Sequence, residues 1–210
     1  VTGLASDTIA DIKTLLTAGN DTNQFTANSF GSLATVIVSD TTLNGSDLVD
    51  SIDQANSATG GTGTVFNISA ANTITGTEAN FSALITDENN NQINITTQNL
   101  TVSGTVTVDN SNLLAATTSG KVTATIATTE TSAELATLSA DGGTNDLTIA
   151  IRGADATAAT AAQLNTINAA TALAVDLTNV TGLAASSLSD LGTLATAIDN
   201  SEFSNATGLT

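Results

Sequence analysis

The chain lacks several of the residues on which catalysis and disulfide-stabilised folds most often depend. Its 210 residues contain no His, Cys, Met, Trp, Tyr or Pro, and the only basic residues are Lys13, Lys121 and Arg152. Without His and Cys, the commonest general base and the thiol nucleophile are both missing. No pair of carboxylates stands out by motif as the acid pair of a glycoside hydrolase. We therefore expect no catalytic residues and a protein that is not an enzyme.

The shortage of basic residues also limits the partners of the chain. Its 20 acidic residues leave a formal net charge of -17. Nucleic-acid binding needs Lys and Arg to neutralise phosphates, and an anionic membrane surface repels a chain of this charge. No apolar run approaches the roughly 20 residues that a membrane span requires. We therefore expect neither nucleic-acid binding nor membrane insertion.

The absence of Met and Cys bears on origin and location. A chain without Met is expected to be an internal or processed piece of a longer product. An acidic, Thr- and Ala-rich chain without Cys is typical of exported bacterial proteins that form no disulfides. The expected location is therefore extracellular, at the cell surface.

An internal repeat is the strongest pattern among the residues that the chain does contain. The opening stretch "VTGLASDTIADIKTLLTAGN" is matched by "VTGLAASSLSDLGTLATAID", which begins at Val180. Ten of the first eighteen positions are identical in this register. We predict that residues 1–179 form one full repeat period of about six helix–strand modules, and that residues 180–210 begin the next period.

Shorter modules recur inside this period, each centred on two apolar residues three positions apart. This is the spacing of one face of a short amphipathic helix, and Ser, Thr or acidic residues that could cap a helix precede most of these segments. The pairs are Ile12 with Leu15, Val49 with Ile52, Phe81 with Leu84, Leu135 with Leu138, Leu164 with Ile167, and Leu191 with Leu194.

Strand-like runs follow the Asn- and Gly-rich turns after these helices. Examples are "INITTQNLTVSGTVTV", "VTATIATT" and "LTIAI". Strands that alternate with helices stack most simply in parallel, with right-handed connections. The predicted fold is an α/β repeat, a β-rich solenoid of short helix-plus-strand modules, either a parallel β-helix or an α/β solenoid. The alternative is a compact mixed sheet closed by an antiparallel pair through residues 99–112. Residues 104–126 show two strands and no clear helix.

The Thr-, Ala-, Asn- and Asp-rich modules resemble a known class of proteins. Helices such as "TTETSAELATLSAD" and strands such as "VDLTNVTG" are similar to those of very large repetitive cell-surface proteins and adhesins of bacteria, cyanobacteria among them. A weaker resemblance links the chain to phage tail fibres. The resemblance implies a repetitive surface polypeptide, often with bound calcium.

One turn offers oxygen atoms in a pattern that hard cations prefer. In "DENNNQI", Asp87, Asn89 and Asn91 alternate, so we predict them as calcium ligands. An EF-hand loop starting at Asp87 would need Glu at its twelfth position, but Gln98 stands there. An Asn-rich turn that holds no ion is the alternative, and no other cofactor is expected.

Two functions remain open at this stage. In the first, the chain is a non-catalytic structural repeat segment of an extracellular filament or cell-surface array, which associates end to end with copies of itself or with adjacent repeats. In the second, it is the stalk of an adhesin or phage tail fibre, with the recognition tip outside this chain. Stacked modules need neighbours or caps at their terminal layers. This requirement favours another copy as the partner.

Overall fold

The computed structural model describes residues 3–20, 32–60, 63–139 and 144–209. Within them the chain forms seven α-helices, ten short β-strands and two 3₁₀ turns, Gly153–Asp155 and Ala206–Leu209. The helices are α1 Ile9–Asn20, α2 Gly45–Thr59, α3 Glu78–Asn89, α4 Val108–Thr117, α5 Ser132–Leu135, α6 Ala161–Ala169 and α7 Leu188–Asp199. The strands are β1 Gly3–Asp7, β2 Thr35–Val38, β3 Thr42–Asn44, β4 Val65–Asn67, β5 Thr73–Thr77, β6 Asn99–Val106, β7 Val122–Ile126, β8 Asp146–Thr148, β9 Val175–Asp176 and β10 Phe203–Ser204.

The helix predictions are confirmed in all but one segment. Five of the six apolar pairs lie wholly within α1, α2, α3, α6 and α7, while α5 ends at Leu135, three residues before Leu138. The segment 104–126, where no helix was expected, contains α4 between β6 and β7. Val108, Ser111 and Leu114 are buried at three-residue spacing, but the polar run from Asp109 to Asn112 hides this pattern in the sequence.

The predicted β-rich solenoid or parallel β-helix is wrong. The chain instead forms an α/β arrangement of parallel sheets and helices, and the helices hold more residues than the strands. Nine of the ten strands have five residues or fewer, because Asn, Asp and Gly interrupt the β-branched runs. The capped amphipathic segments extend to 9–15 residues in six of the helices. The alternative of an antiparallel closing pair is also wrong for the described strands, since they pair in parallel.

The chain divides into two compact units. The first comprises Val1–Ser103 with Thr117–Gly120, and the second comprises Gly104–Ala116 with Lys121–Thr210. The predicted boundary between residues 179 and 180 concerns sequence repetition, and it stays a prediction.

The first unit pairs strands from successive segments of the chain. Its strands lie in the orders β1-β2-β4 and β3-β5-β6, with Gly3 opposite Thr35 and Thr42 opposite Thr73. Helix α2 packs between α1 and α3. The largest fully buried side chains include Phe66 and Phe81, so two of the five Phe residues lie in this core.

The second unit repeats this scheme with shorter strands. Strand β7 pairs with β8, and β9 pairs with β10. Helix α6 contacts both α5 and α7. Its core is mainly aliphatic, with Phe203 also buried, and the fully buried residues include Ile151, Leu164, Ile167, Val175 and Leu177.

The high Thr content has a structural use in both units. Buried Thr hydroxyls donate hydrogen bonds to backbone carbonyls of the preceding segment, as from Thr64 to Leu33 (2.8 Å), Thr118 to Gln98 (2.7 Å) and Thr171 to Leu147 (2.8 Å). A buried carbonyl without a partner would cost about 1–3 kcal/mol. Thr therefore satisfies backbone groups that short strands leave unpaired.

None of the described helices is long and apolar enough to cross a lipid bilayer.

Candidate interaction surface

The predicted calcium ligands lie at the end of α3 and in the turn that follows it. Asp87 and Asn89 are two positions apart on the helix, and side chains at this spacing do not face each other. Asn91 follows in a left-handed backbone conformation, with φ of 58°, and its N–H donates to the Glu88 carbonyl. No group of three or more acidic, His or Cys side chains in the described residues could hold a metal ion. The calcium site stays a prediction.

Asp87 nevertheless has an unusually high pKa. Burial in the seam between α2 and α3, and secondarily the nearby carboxylate of Asp53, raise the pKa of Asp87 to about 6 from an ordinary value of 3.8. Asp87 therefore takes up a proton as the pH falls below about 6, where an ordinary aspartate would still be ionised.

Neighbouring segments are joined at the helix N-termini. The first N–H of α1 donates to Asp40 (2.6 Å), that of α5 to Asp155 (2.6 Å) and that of α6 to Ser186 (2.9 Å). In each case the acceptor lies 23 to 31 residues later in the chain. A helix N-terminus has unpaired donors and a partial positive charge, so an oxygen acceptor stabilises it. Each of these helices is therefore completed by the segment that follows it.

The sequence predicts that Arg152 pairs with an acid such as Asp155, and the structure confirms this pairing. Their side chains are 3.2 Å apart, and Asp155 is 6% exposed. Burial by itself would raise the pKa of Asp155, but hydrogen bonds from the Ser132 backbone and from Arg152 outweigh burial and hold that pKa below its ordinary value. Asp155 therefore stays ionised while it caps α5.

The sequence predicts that Lys13 and Lys121 lie on the solvated surface, and both side chains are partly exposed while each also forms an ion pair. Lys13 of α1 lies 2.7 Å from both Asp47 and Asp50 of α2, and these hydrogen bonds raise the pKa of Lys13. Lys121 pairs with Asp146. All three basic residues thus join one segment to a neighbouring one or brace a cap.

Asn side chains on helices make similar connections to neighbouring segments of the chain. Asn20 donates to the Gln54 carbonyl (3.1 Å), Asn112 to the Thr137 carbonyl (2.9 Å) and Asn165 to the Asp190 carbonyl (3.0 Å). The abundance of Asn therefore reflects contacts between segments as well as turns.

The sequence indicates helix caps at Ser46, Thr77, Thr129 and Asp155, and most of the observed caps lie two to five residues from these positions. Asn44 caps α2 and Thr131 caps α5, where Ser46 and Thr129 were expected. Thr77 caps α3 as expected. Thr160 caps α6, and the expected cap Asp155 serves α5 instead.

The two copies of the repeated helix have the same bounds and the same caps. Helices α1 and α7 occupy equivalent positions of the 179-residue register over all twelve residues. Thr8 accepts from the Asp11 N–H and donates to its carboxylate, and Ser187 does the same with Asp190. The repeated sequence thus specifies the same local structure twice.

The burial of the two helices differs. Ile9 and Ile12 of α1 are 5% and 2% exposed, whereas their equivalents Leu188 and Leu191 in α7 are 86% and 38% exposed. We call Leu188 and Leu191 the α7 free face. Conversely, Leu15 of α1 is 37% exposed, while its equivalent Leu194 is buried where α7 packs against α6.

An open cavity of about 580 Å³ lies near the C-terminal ends of α6 and α7. Asn168, Asn200, Glu202 and Leu173 are among the residues that line it. Both oxygens of the Glu202 carboxylate accept hydrogen bonds from Asn168 and Asn200. The polar groups of the cavity therefore bind one another.

The chain matches no family model, no curated protein and no solved structure.

Proposed function

We propose that the chain is a non-catalytic structural segment of an extracellular filament or cell-surface array, in which copies associate end to end. The observation that supports this most directly is the α7 free face. Two apolar positions that are buried in α1 are exposed to solvent in the equivalent helix α7. An exposed apolar surface of this kind is typical of an interaction site.

The contacts between segments support the same function. Each of three helices takes an N-terminal acceptor from the following segment, and strands pair in parallel with strands of the next segment. A design that depends on nearest neighbours can be extended by adding further units of the same kind. Its acidic surface would keep such an assembly soluble and limit unintended strand pairing.

The proposal is tested by the association state of the 210-residue chain. We expect sedimentation velocity to show species that grow with concentration, and electron microscopy to show elongated particles. The absence of Trp and Tyr requires detection by interference or by absorbance near 220 nm. A chain that stays monomeric across the accessible concentration range would contradict end-to-end association.

A further inference from the structure

We infer that the α7 free face binds helix α1 of a second copy of this chain, and that residues 3–7 of that copy replace the terminal turn Ala206–Leu209. This inference rests on the proposed end-to-end association and identifies the two surfaces that would meet.

The first step is a third occurrence of the tripeptide Thr-Gly-Leu that opens both copies of the repeat. Residues 206–209 read Ala-Thr-Gly-Leu, while residues 1–4 and 180–183 both read Val-Thr-Gly-Leu. In the latter two cases a cap and a twelve-residue amphipathic helix follow within eight residues, giving α1 and α7. The terminal turn therefore has the sequence that introduces such a helix.

The second step is the place that this turn occupies. A Cβ atom added to Gly208 would lie 2.3 Å from the carbonyl oxygen of Val180 and 3.3 Å from the Cα of Thr181. The terminal turn therefore lies directly on the segment that leads into α7. A helix introduced from this place would lie beside α7, as α7 lies beside α6.

The third step is that α1 has the groups that α7 uses against α6. In the α6–α7 contact, Ser186 accepts from the first N–H of α6, and Leu194 is buried. Their equivalents in the first copy of the repeat are Asp7, at the end of β1, and Leu15 of α1, which are both exposed. Asp7 could accept from the first N–H of α7, since a carboxylate accepts several hydrogen bonds.

The fourth step is that α7 offers a surface like that of α6. Aligned on their caps, Ala161 and Leu164 of α6 correspond to Leu188 and Leu191 of α7. Ala161 and Leu164 are fully buried, whereas the α7 residues are exposed. Gly192 stands at the position equivalent to Asn165, so the hydrogen bond from the Asn165 side chain to the Asp190 carbonyl has no counterpart in the proposed contact. The contact therefore depends mainly on the apolar residues.

The two surfaces differ, so the contact is heterologous and can propagate from copy to copy. This property allows a complementation test. Leu188→Asp removes the receiving surface, and Leu15→Asp removes the incoming one. Each variant alone is expected to need about tenfold or more higher concentration to associate, because an apolar contact is replaced by a buried charge. An equimolar mixture retains one intact pair of surfaces and is expected to form dimers that stop there.

Leu113→Asp, at an exposed leucine on α4, is the matched control, and circular dichroism checks that all variants fold. If an Asp variant does not fold, the milder Leu188→Ser or Leu15→Ser is used in its place. If the wild type associates and Leu188→Asp or Leu15→Asp still does so, or if the mixture stays monomeric, this interface is wrong while the proposed function stands. If the wild type is monomeric at all concentrations, both this interface and the proposed end-to-end association are wrong.

Two glycine substitutions test the exchange of the terminal turn. Gly208→Ala would place a methyl group against the Val180 carbonyl, expel the turn and vacate its place for a second copy. We therefore expect about tenfold tighter association. Gly3→Ala fits its own fold, where the added Cβ would be 3.4 Å from the Thr35 carbonyl, but it would meet Val180 of the receiving copy. It is expected to weaken association by a similar factor. Effects of the same sign in both variants would overturn the exchange.

Discussion

At the residue scale, each of the three basic side chains of this acidic chain lies at a contact between segments. Lys13 bridges α1 and α2, and Arg152 braces the carboxylate that caps α5. The sequence allowed the Arg152 pairing to be predicted because Asp155 is three residues away. The partners of Lys13 are more than thirty residues away, and only the fold brings them together.

Asp87 provides a prediction about pH. Its folded pKa of about 6 lies above its ordinary value of 3.8, so the folded chain holds this proton more tightly than the unfolded chain. Its ionisation therefore lowers the free energy of unfolding as the pH rises from about 4 to 6. Asp87→Asn is expected to be more stable than the wild type by about 1 kcal/mol at pH 7, after allowance for solvent screening, and to lose this advantage near pH 4.

Urea unfolding followed by far-UV circular dichroism at several pH values measures this difference. Asp199→Asn, at an exposed residue at the end of α7, controls for the change in net charge. A stability difference between wild type and Asp87→Asn that is the same at every pH would contradict the assignment.

At the element scale, spacing along the chain predicted the helices well and the strands poorly. The apolar pairs of α1, α2 and α3 recur at helical spacing, and local capping residues support them. Helix α4 was missed because its polar first turn resembles the neighbouring strand and turn sequence. The caps that come from following segments, such as Asp40 on α1, could not be read from the sequence, since nothing local links the two residues.

The capping box of α6 supports a second prediction. Thr160 accepts from the Gln163 N–H, and the Gln163 side chain accepts from the Thr160 N–H. Thr160→Ala is expected to lower the free energy of unfolding by about 1 kcal/mol. Thr166→Ala, on the exposed side of the same helix, should change it by less than about 0.5 kcal/mol, because Ala is the better helix former. Equal losses in the two variants, measured by urea unfolding, would contradict a specific role for the cap.

The calcium prediction is tested at the end of α3. Because Asp87 and Asn89 lie two positions apart on a helix, we expect millimolar Ca²⁺ to raise the melting temperature no more than the same concentration of Mg²⁺. Thermal unfolding with each ion, after treatment with a chelator, provides the comparison. A larger shift with Ca²⁺ that disappears in Asp87→Asn would instead establish a calcium site.

At the scale of the whole molecule, net charge opposes any association of copies. Two chains that each carry -17 repel one another, and salt screens this repulsion. If the apolar α7 free face drives association, dimerisation should strengthen between about 20 and 300 mM NaCl. Sedimentation velocity across this range measures the effect. Weaker association at higher salt would mean that ion pairs, rather than leucines, join the copies.

The close approach of Gly208 to Val180 has a kinetic consequence. If copies assemble as proposed, each one carries a segment that occupies its own receiving surface, and this segment must leave before growth begins. Every copy must release this turn before it can receive the next one, so assembly should be slow by the same factor at each step. Preformed fragments added as seeds should therefore not accelerate it. A peptide corresponding to residues 1–20 would act as a chain terminator, since it fills the surface and offers none of its own.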